Sequence, residues 1–162
     1  MKTELSHYSR QLAQVYDGRP WYGDSLLQKL EQIGPKEAFA TPVPGAHSIA
    51  QIVAHMITWR TVLTGRLSLK NEYHNTVTDD DEQDWPSTAA LQAKGWQKLL
   101  KELADNQVEL LRLLGSTDEA LLDEAYAEDA TYRSLIEGVI QHDVYHIGQI
   151  GLLMTFMKIK KP

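Results

Sequence analysis

The chain has 162 residues, 43% of them apolar and 23% charged, and these values predict one soluble globular domain over residues 1–162. No stretch approaches the roughly 18 apolar residues of a membrane span, and the first residues lack the apolar segment of a signal peptide, so we expect a cytoplasmic protein without membrane partners. The absence of cysteine excludes disulfides and thiolate ligands, and a net charge of −6 with only residues 158–161 locally basic argues against a nucleic-acid partner.

The first third of the chain shows the spacing of amphipathic helices. Apolar residues three and four positions apart predict a helix over residues 3–17 and another over residues 21–33, and a glycine followed by a proline ends each of them. Ser48 and Gln51 then have the S-x-x-Q spacing of a capping box, in which each side chain bonds the backbone N–H of the other residue. A long helix is therefore predicted from there to about Leu69.

The next segment, residues 70–86, has no periodicity and carries the acidic run 79–84, which indicates a solvated loop. About 17 extended residues can span roughly 50 Å, whereas the preceding helix is only about 33 Å long. The loop is therefore long enough to cross a bundle from end to end and to leave the next helix parallel to the previous one. That next helix is predicted from Ser87 or Thr88 to Gly115.

The last long helix is predicted from Thr131 to about Met157, after a short helical segment over residues 120–123 that a second capping box introduces. No residue pattern indicates a strand. The sequence thus predicts an all-α protein in which residues 70–86 can cross a helical bundle.

Two histidines, His142 and His146, lie four residues apart on the stripe of the last helix that its apolar residues mark as inward-facing. Side chains at this spacing are roughly 6 Å apart on one face, close enough for both imidazoles to bind one metal ion. The spacing is also that of the zincin motif H-E-x-x-H, with Asp143 at the position of the glutamate. The chain has no His, Asp or Glu after His146, so a third ligand must come from an earlier helix.

Among the other histidines, His55 is the strongest candidate for that ligand, because it lies inside the apolar helix that begins after Ser48. A site of His55, His142 and His146 has three neutral ligands and keeps positions open, as catalytic zinc sites do. Such an ion keeps its full charge, lowers the pKa of bound water to about 7 in the case of zinc, and holds a bound thiol as thiolate. Anionic or thiol substrates suit that field.

Three polar residues near these histidines are candidates for a catalytic role. Gln149 follows the last histidine by three residues and Gln51 precedes His55 by four, which places both amides within reach of the site. Asp143 lies between the paired histidines and would serve as the general base if the protein were a hydrolase.

The motifs of the sequence are Pro20-Trp21-Tyr22-Gly23-Asp24-Ser25-Leu26, His47-Ser48-Ile49 followed by His55 and Trp59, and His142-Asp143-Val144-Tyr145-His146-Ile147-Gly148-Gln149-Ile150. In these motifs the chain resembles the DinB/YfiT-like family of metalloproteins over essentially its whole length, and the last motif is the most specific. The resemblance implies a four-helix bundle with a long crossing connection between helices 2 and 3, and a divalent metal bound by one histidine of helix 2 and two of the last helix. In this sequence those positions are His55, His142 and His146.

The resemblance also implies a cofactor and partners. Zinc or nickel is the expected metal, with manganese and iron as alternatives, and a homodimer is the expected assembly. Some members of the family transfer groups to low-molecular-weight thiols such as bacillithiol or mycothiol. We therefore expect a metal-dependent S-transferase that conjugates such a thiol to a small electrophile. The alternatives are a metal-dependent hydrolase and a non-catalytic, stress-associated metal-binding module.

Overall fold

A computed structural model describes residues 4–78 and 82–158 of the chain. Parts of the predicted first helix, of the acidic run and of the basic tail (residue 3, residues 79–81 and residues 159–161) lie outside the described residues. In chain order the elements are α1 (Glu4–Tyr16), α2 (Leu26–Leu30), α3 (Pro35–Ala38), α4 (Ile49–Leu69), α5 (Thr88–Lys94), α6 (Trp96–Ser116), β1 (Ala125–Ala127), β2 (Ala130–Thr131) and α7 (Tyr132–Phe156), with 3₁₀ turns at Lys70–Glu72 and Glu119–Asp123.

The helices α4 and α6 run in the same direction. Gln51, in the first turn of α4, donates a hydrogen bond of 3.2 Å to the carbonyl of Pro86, just before α5. Ten residues further along α4, the Thr61 hydroxyl accepts a hydrogen bond of 3.3 Å from Asn106 of α6. The two contacts occur in the same order along α4 and along the segment from Pro86 to α6, so the two helices are parallel. The connection between them crosses the bundle as predicted.

The helix α7 runs antiparallel to α4. The last part of α7 meets the first part of α4 where His146 and His142 approach His55, and the Tyr132 hydroxyl at its start donates to the carbonyl of Arg66 at 3.5 Å. The helix α1 runs parallel to α7, because Glu4 and Tyr8 bond to Arg133 and Glu137 in the same order, each at 2.7 Å. The four long helices form the predicted all-α bundle.

The core lies where these four helices face one another. Burying a leucine, isoleucine or methionine side chain stabilises the fold by roughly 1.5–3 kcal/mol. Each helix contributes such side chains that are at most 1% exposed, among them Leu12, Ile49, Met56, Leu63, Leu103, Leu110, Ile136 and Ile150. The helices α4 and α7 bury residues around most of their circumference, so the polar residues on their facing sides are enclosed by the bundle.

The structure differs from the sequence prediction in three places. The helix expected over residues 21–33 is reduced to α2, because the chain turns at Gly23, whose φ of 125° lies in the region that favours glycine. The third long helix is broken into α5 and α6 at Gly95, whose φ is 89°. Strands β1 and β2 form a small antiparallel hairpin, pairing Ala125 with Thr131; two or three residues are too few to show an alternating pattern.

No helix in the described ranges combines the length and the apolar character that crossing a membrane requires.

Candidate metal centre

Three histidine side chains converge at the interface of α4 and α7. The Nε2 atom of His142 lies 2.9 Å from Nε2 of His55 and 2.9 Å from Nε2 of His146. One nitrogen from each residue lies within 4.8 Å of the corresponding nitrogen of the other two. His55 and His146 are 6% and 3% exposed, whereas His142 is half-buried. The structure thus brings together the three residues that were predicted as metal ligands.

The helices explain why these side chains meet. His142 and His146 are one turn apart on the same face of α7, so their rings project in the same direction. The antiparallel packing of α4 brings His55 opposite them, with its ring centroid 4.8 Å from each of theirs. Inward-facing positions that carry leucine elsewhere in the core carry histidine here.

The spacing of the nitrogens fits a transition-metal ion. A zinc–imidazole bond is about 2.0–2.1 Å long, so two nitrogens in one coordination sphere are roughly 2.9 Å apart at a right angle and about 3.4 Å apart at the tetrahedral angle. The two Nε2–Nε2 distances of 2.9 Å correspond to the lower end of that range.

The protonation of the rings points to the same conclusion. The Nδ1 of His146 lies 2.7 Å from the amide oxygen Oε1 of Gln149, so Nδ1 carries the proton and Nε2 presents its lone pair. The Nδ1 of His55 lies 2.6 Å from a carboxylate oxygen of Asp84, whose negative charge favours a proton on Nδ1 in this ring as well. His142 Nε2 can donate one proton at most, so it cannot satisfy both neighbouring lone pairs. A cation among the three nitrogens satisfies all of them.

Asp84 was not predicted as a site residue. It ends the crossing connection, is 2% exposed and approaches His55 from outside the helix pair. A carboxylate bonded to the distal nitrogen of a ligating histidine fixes the ring and raises its basicity, an arrangement common around zinc. The sequence signal was slight: an acid followed by Trp85 and Pro86, immediately before the cap of the next helix at Ser87.

Trp85 covers His55 by aromatic stacking. Its ring lies 3.9 Å from the ring of His55 with an interplanar angle of 9°, and 3.6 Å from the ring of His47 with an angle of 8°. Both imidazole rings are nearly parallel to the indole and within 4 Å of it, and they would overlap if they lay on the same face. His47 and His55 therefore stack on opposite faces of Trp85. His47, at the end of the loop before α4, thus belongs to the surroundings of the site although it was not predicted there.

The bundle keeps two of the rings neutral. Burial lowers the pKa of His142 to about 3, and the neighbouring His146, His55 and Arg60 add to the effect. Burial also lowers the pKa of His146 to about 4, against the opposing effect of its hydrogen bond to Gln149. A neutral imidazole is the form that coordinates a metal, so both rings are available as ligands over the physiological pH range.

The three residues predicted as catalytic lie at different distances from the histidine triad, the set of His55, His142 and His146. Gln149 contacts it directly through His146, and its amide nitrogen also donates to the Tyr145 hydroxyl at 3.0 Å. Gln51 forms the predicted capping box with Ser48 and reaches the carbonyl of Pro86 with its amide nitrogen. The structure therefore connects Gln149 to the candidate metal ligands, and Gln51 to the segment that carries Asp84.

Asp143 points away from the triad into the core. It is fully buried and forms an ion pair with Arg60 of α4, whose Nε and Nη2 both bond to Oδ2, at 3.0 and 2.7 Å. Arg60 also donates to the amide oxygen of Gln107 at 2.7 Å. This pair joins α4 to α7 one turn from the triad. Arg60 was absent from the predicted site, because a single arginine in an apolar helix does not reveal its partner.

Two cavities flank the triad in the groove between α4 and α7. The larger one, of about 410 Å³, is lined mainly by apolar side chains, among them Val43, Ile52, Leu152 and Phe156, with Gln149 and His47 also at its wall. The smaller one, of about 200 Å³, lies on the other side and is lined by residues that include Trp59, Leu135 and His142. The smaller cavity thus borders the triad at His142, whereas the larger one borders Gln149, the hydrogen-bond partner of His146.

Comparison with known proteins gives one match. A family model described as the DinB superfamily matches residues 23–150, the part of the chain that contains all three histidines, Asp84 and Trp85. No curated protein and no solved structure matches the chain.

Proposed function

Since the chain belongs to the DinB superfamily and three of its histidine nitrogens converge on one point, we propose that it is a metal-dependent S-transferase. Its substrates would be a low-molecular-weight thiol and a small electrophile. Its cofactor would be a divalent ion, with zinc or nickel preferred over manganese or iron. The observation that carries the proposal is the set of donor atoms. Three neutral imidazoles direct nitrogen lone pairs towards one another, and there are too few N–H protons for each lone pair to accept a hydrogen bond.

A divalent ion bound there would supply the positive charge that lowers the pKa of a thiol, so that the thiolate is present at neutral pH. Neutral ligands do not offset this charge, which favours a sulfur anion over an uncharged substrate. In the transfer, the thiol loses its proton to water and its sulfur forms a bond to a carbon atom of the electrophile. The bond from that carbon to the leaving group breaks, and the leaving group departs with the electron pair.

The chain's own residues would orient the ligands and exclude water. Asp84 and Gln149 hold the Nδ1 protons of His55 and His146, which directs the Nε2 lone pairs of both rings towards the metal. Trp85 stacks on His55 and shields that side of the site. The half-buried ring of His142 is the most accessible of the three, so we propose that the thiol reaches the centre from its side.

Gln51 and Asp143, both predicted as catalytic, would act in this proposal as positioning residues. Gln51 bonds to the carbonyl of Pro86 and so holds the segment that carries Asp84. Asp143 would fix the rotation of α7 through its ion pair with Arg60, and hence the direction in which the adjacent His142 points.

The test begins with protein purified without a nickel column, so that its own metal can be identified by elemental analysis. The protein is then reloaded with zinc, nickel or manganese and assayed with an activated aryl halide and with cysteine, bacillithiol or mycothiol. We expect thiol conjugation with at least one metal, and its loss in His55→Ala. The exposed His7, which bonds to Gln11 on α1, gives the matched control His7→Ala.

Two results would contradict the proposal. One is the absence of conjugation with every metal and thiol in the series. The other is consumption of the electrophile at the same rate with and without thiol, which would identify a hydrolase instead.

A further inference from the structure

The larger cavity beside the triad has the character of a binding site for hydrocarbon. Its lining consists largely of apolar side chains, among them Val43, Ile52 and Leu153. Leu152 and Phe156 line it as well and are 59% and 57% exposed, so two large apolar side chains at its rim are in contact with water. Apolar surface left in contact with water at the rim of a cavity is stabilised when an apolar ligand covers it.

Gln149 lies between this cavity and the triad, and both ends of its amide are hydrogen-bonded. The Oε1 atom of Gln149 accepts the proton of His146 Nδ1, and its Nε2 atom donates to the Tyr145 hydroxyl. These bonds hold the amide in place. The cavity therefore combines a largely apolar lining with two polar side chains, Gln149 and His47, a composition typical of ligand pockets.

The cavity is also adjacent to the reacting centre. Ile52 lies one turn before His55 on α4, and Gln149 lies one turn after His146 on α7. The near end of this cavity thus lies along the same groove as the triad and about one helical turn from it, which is roughly 5 Å.

We infer that this cavity binds the apolar chain of the electrophile, so that the enzyme acts on electrophiles carrying an alkyl or aryl substituent. The inference rests on the proposed function. A volume of about 410 Å³ lies near the lower end of the range for ligand pockets, roughly 300–1,000 Å³, and exceeds the roughly 150 Å³ that holds benzene. The substituent is therefore of medium size, between a single aromatic ring and a long fatty chain.

The test measures binding and does not depend on turnover. The zinc-loaded protein is titrated with n-alkyl hydroxamates of increasing chain length, whose head group chelates a metal ion. Each added methylene that becomes buried should strengthen binding about fourfold, until the cavity is full and the affinity reaches a plateau. The corresponding n-alkyl alcohols, which need no metal, should shift the methyl NMR signals of Leu152 and show a similar dependence on chain length at lower affinity.

Two leucines of α7 form a matched pair of variants. Leu152 lines the larger cavity and Leu135 the smaller one. We expect Leu152→Asn to reduce the fourfold increment to less than twofold, and Leu135→Asn to leave it unchanged. Val108→Asn, at a position on α6 that is 69% exposed, is the control for a polar substitution on the surface.

The outcomes separate this inference from the proposed function. Hydroxamates that bind with the same affinity at every chain length would overturn the apolar site and leave the metal centre intact. A loss of the increment in Leu135→Asn but not in Leu152→Asn would show that the alkyl chain of the ligand lies in the smaller cavity, and would overturn the inference as well. A change of oligomeric state in Leu152→Asn, with the increment retained, would identify the exposed rim as an interface between copies of the chain and would also overturn the inference. Absence of metal would contradict the proposed function, whereas the alcohols would still test the cavity.

Discussion

Asp84 Oδ1 lies 2.6 Å from Nδ1 of His55, so the segment that crosses the bundle ends on a candidate metal ligand. Both side chains are buried, and the contact joins residues 29 positions apart. A carboxylate in this position holds the ring in one orientation and increases the electron density at its other nitrogen. The long connection thus has a role beyond reversing the order of the helices.

Asp84→Asn should weaken metal binding by about 10–100-fold, because the loss of an outer-shell carboxylate typically costs that much affinity. The dissociation constant for zinc is measured by competition with a chromogenic chelator. Asp105→Asn, in an exposed ion pair with Lys101 on α6, provides a control of the same chemistry that should bind zinc normally. Equal affinities of the two variants would show that Asp84 does not act on the metal.

Replacing any one of His55, His142 and His146 by alanine should reduce bound metal from one equivalent to a small fraction. Two imidazoles without a third ligand hold a divalent ion much less tightly, and the three nitrogens are equivalent members of one cluster. Elemental analysis of the purified variants provides the measurement. One equivalent of bound metal in His55→Ala would show that His55, and with it α4, supplies no ligand to the metal.

The metal-free protein should become less stable as the pH falls from about 6.5 towards 4. The folded-state pKa values of His142 and His146 are lowered to about 3 and about 4, whereas in the unfolded chain both side chains titrate near 6.5. Between these values the unfolded state binds more protons than the folded state, so the free energy of unfolding decreases with decreasing pH. Urea unfolding midpoints at pH 7.5 and 5 in the presence of a chelator measure the effect.

The matched control for this pH dependence is the double variant His142→Gln, His146→Gln, which lacks both titrating groups. Its midpoint should shift less between the two pH values than that of the natural sequence. An equal shift would assign the pH dependence to other groups.

Arg60→Leu should destabilise the fold by about 3–5 kcal/mol, because it leaves the carboxylate of Asp143 buried without a partner. Arg60→Leu combined with Asp143→Leu should recover part of that loss, since replacing both partners leaves no uncompensated charge. Chemical denaturation of the single and double variants provides the comparison. Arg112→Leu, in an exposed pair with Glu109, should change the stability little.

Much of the fold could be predicted because helical periodicity is a local property. The apolar positions of the four long helices and the capping box at Ser48 involve residues three or four positions apart, and the structure has that box. The second predicted box, over residues 116–119, does not form, because Asp118 caps the 3₁₀ turn instead and its side chain accepts a hydrogen bond from the N–H of Ala120. The crossing connection followed from its length alone. The glycine turns at Gly23 and Gly95 were missed, because a glycine within a periodic segment does not show whether its φ is positive.

The histidine triad depended on both local and distant information. The sequence determined that His142 and His146 share a face of the last helix, that a third ligand must precede them, and that the bundle is all-α. Only the tertiary structure decided that Asp84 and Trp85 close around His55, and that Asp143 faces Arg60 in the core instead of the metal ligands. The physical reason is that a helix fixes the spacing of its own side chains, whereas contacts between helices and loops depend on how the elements pack.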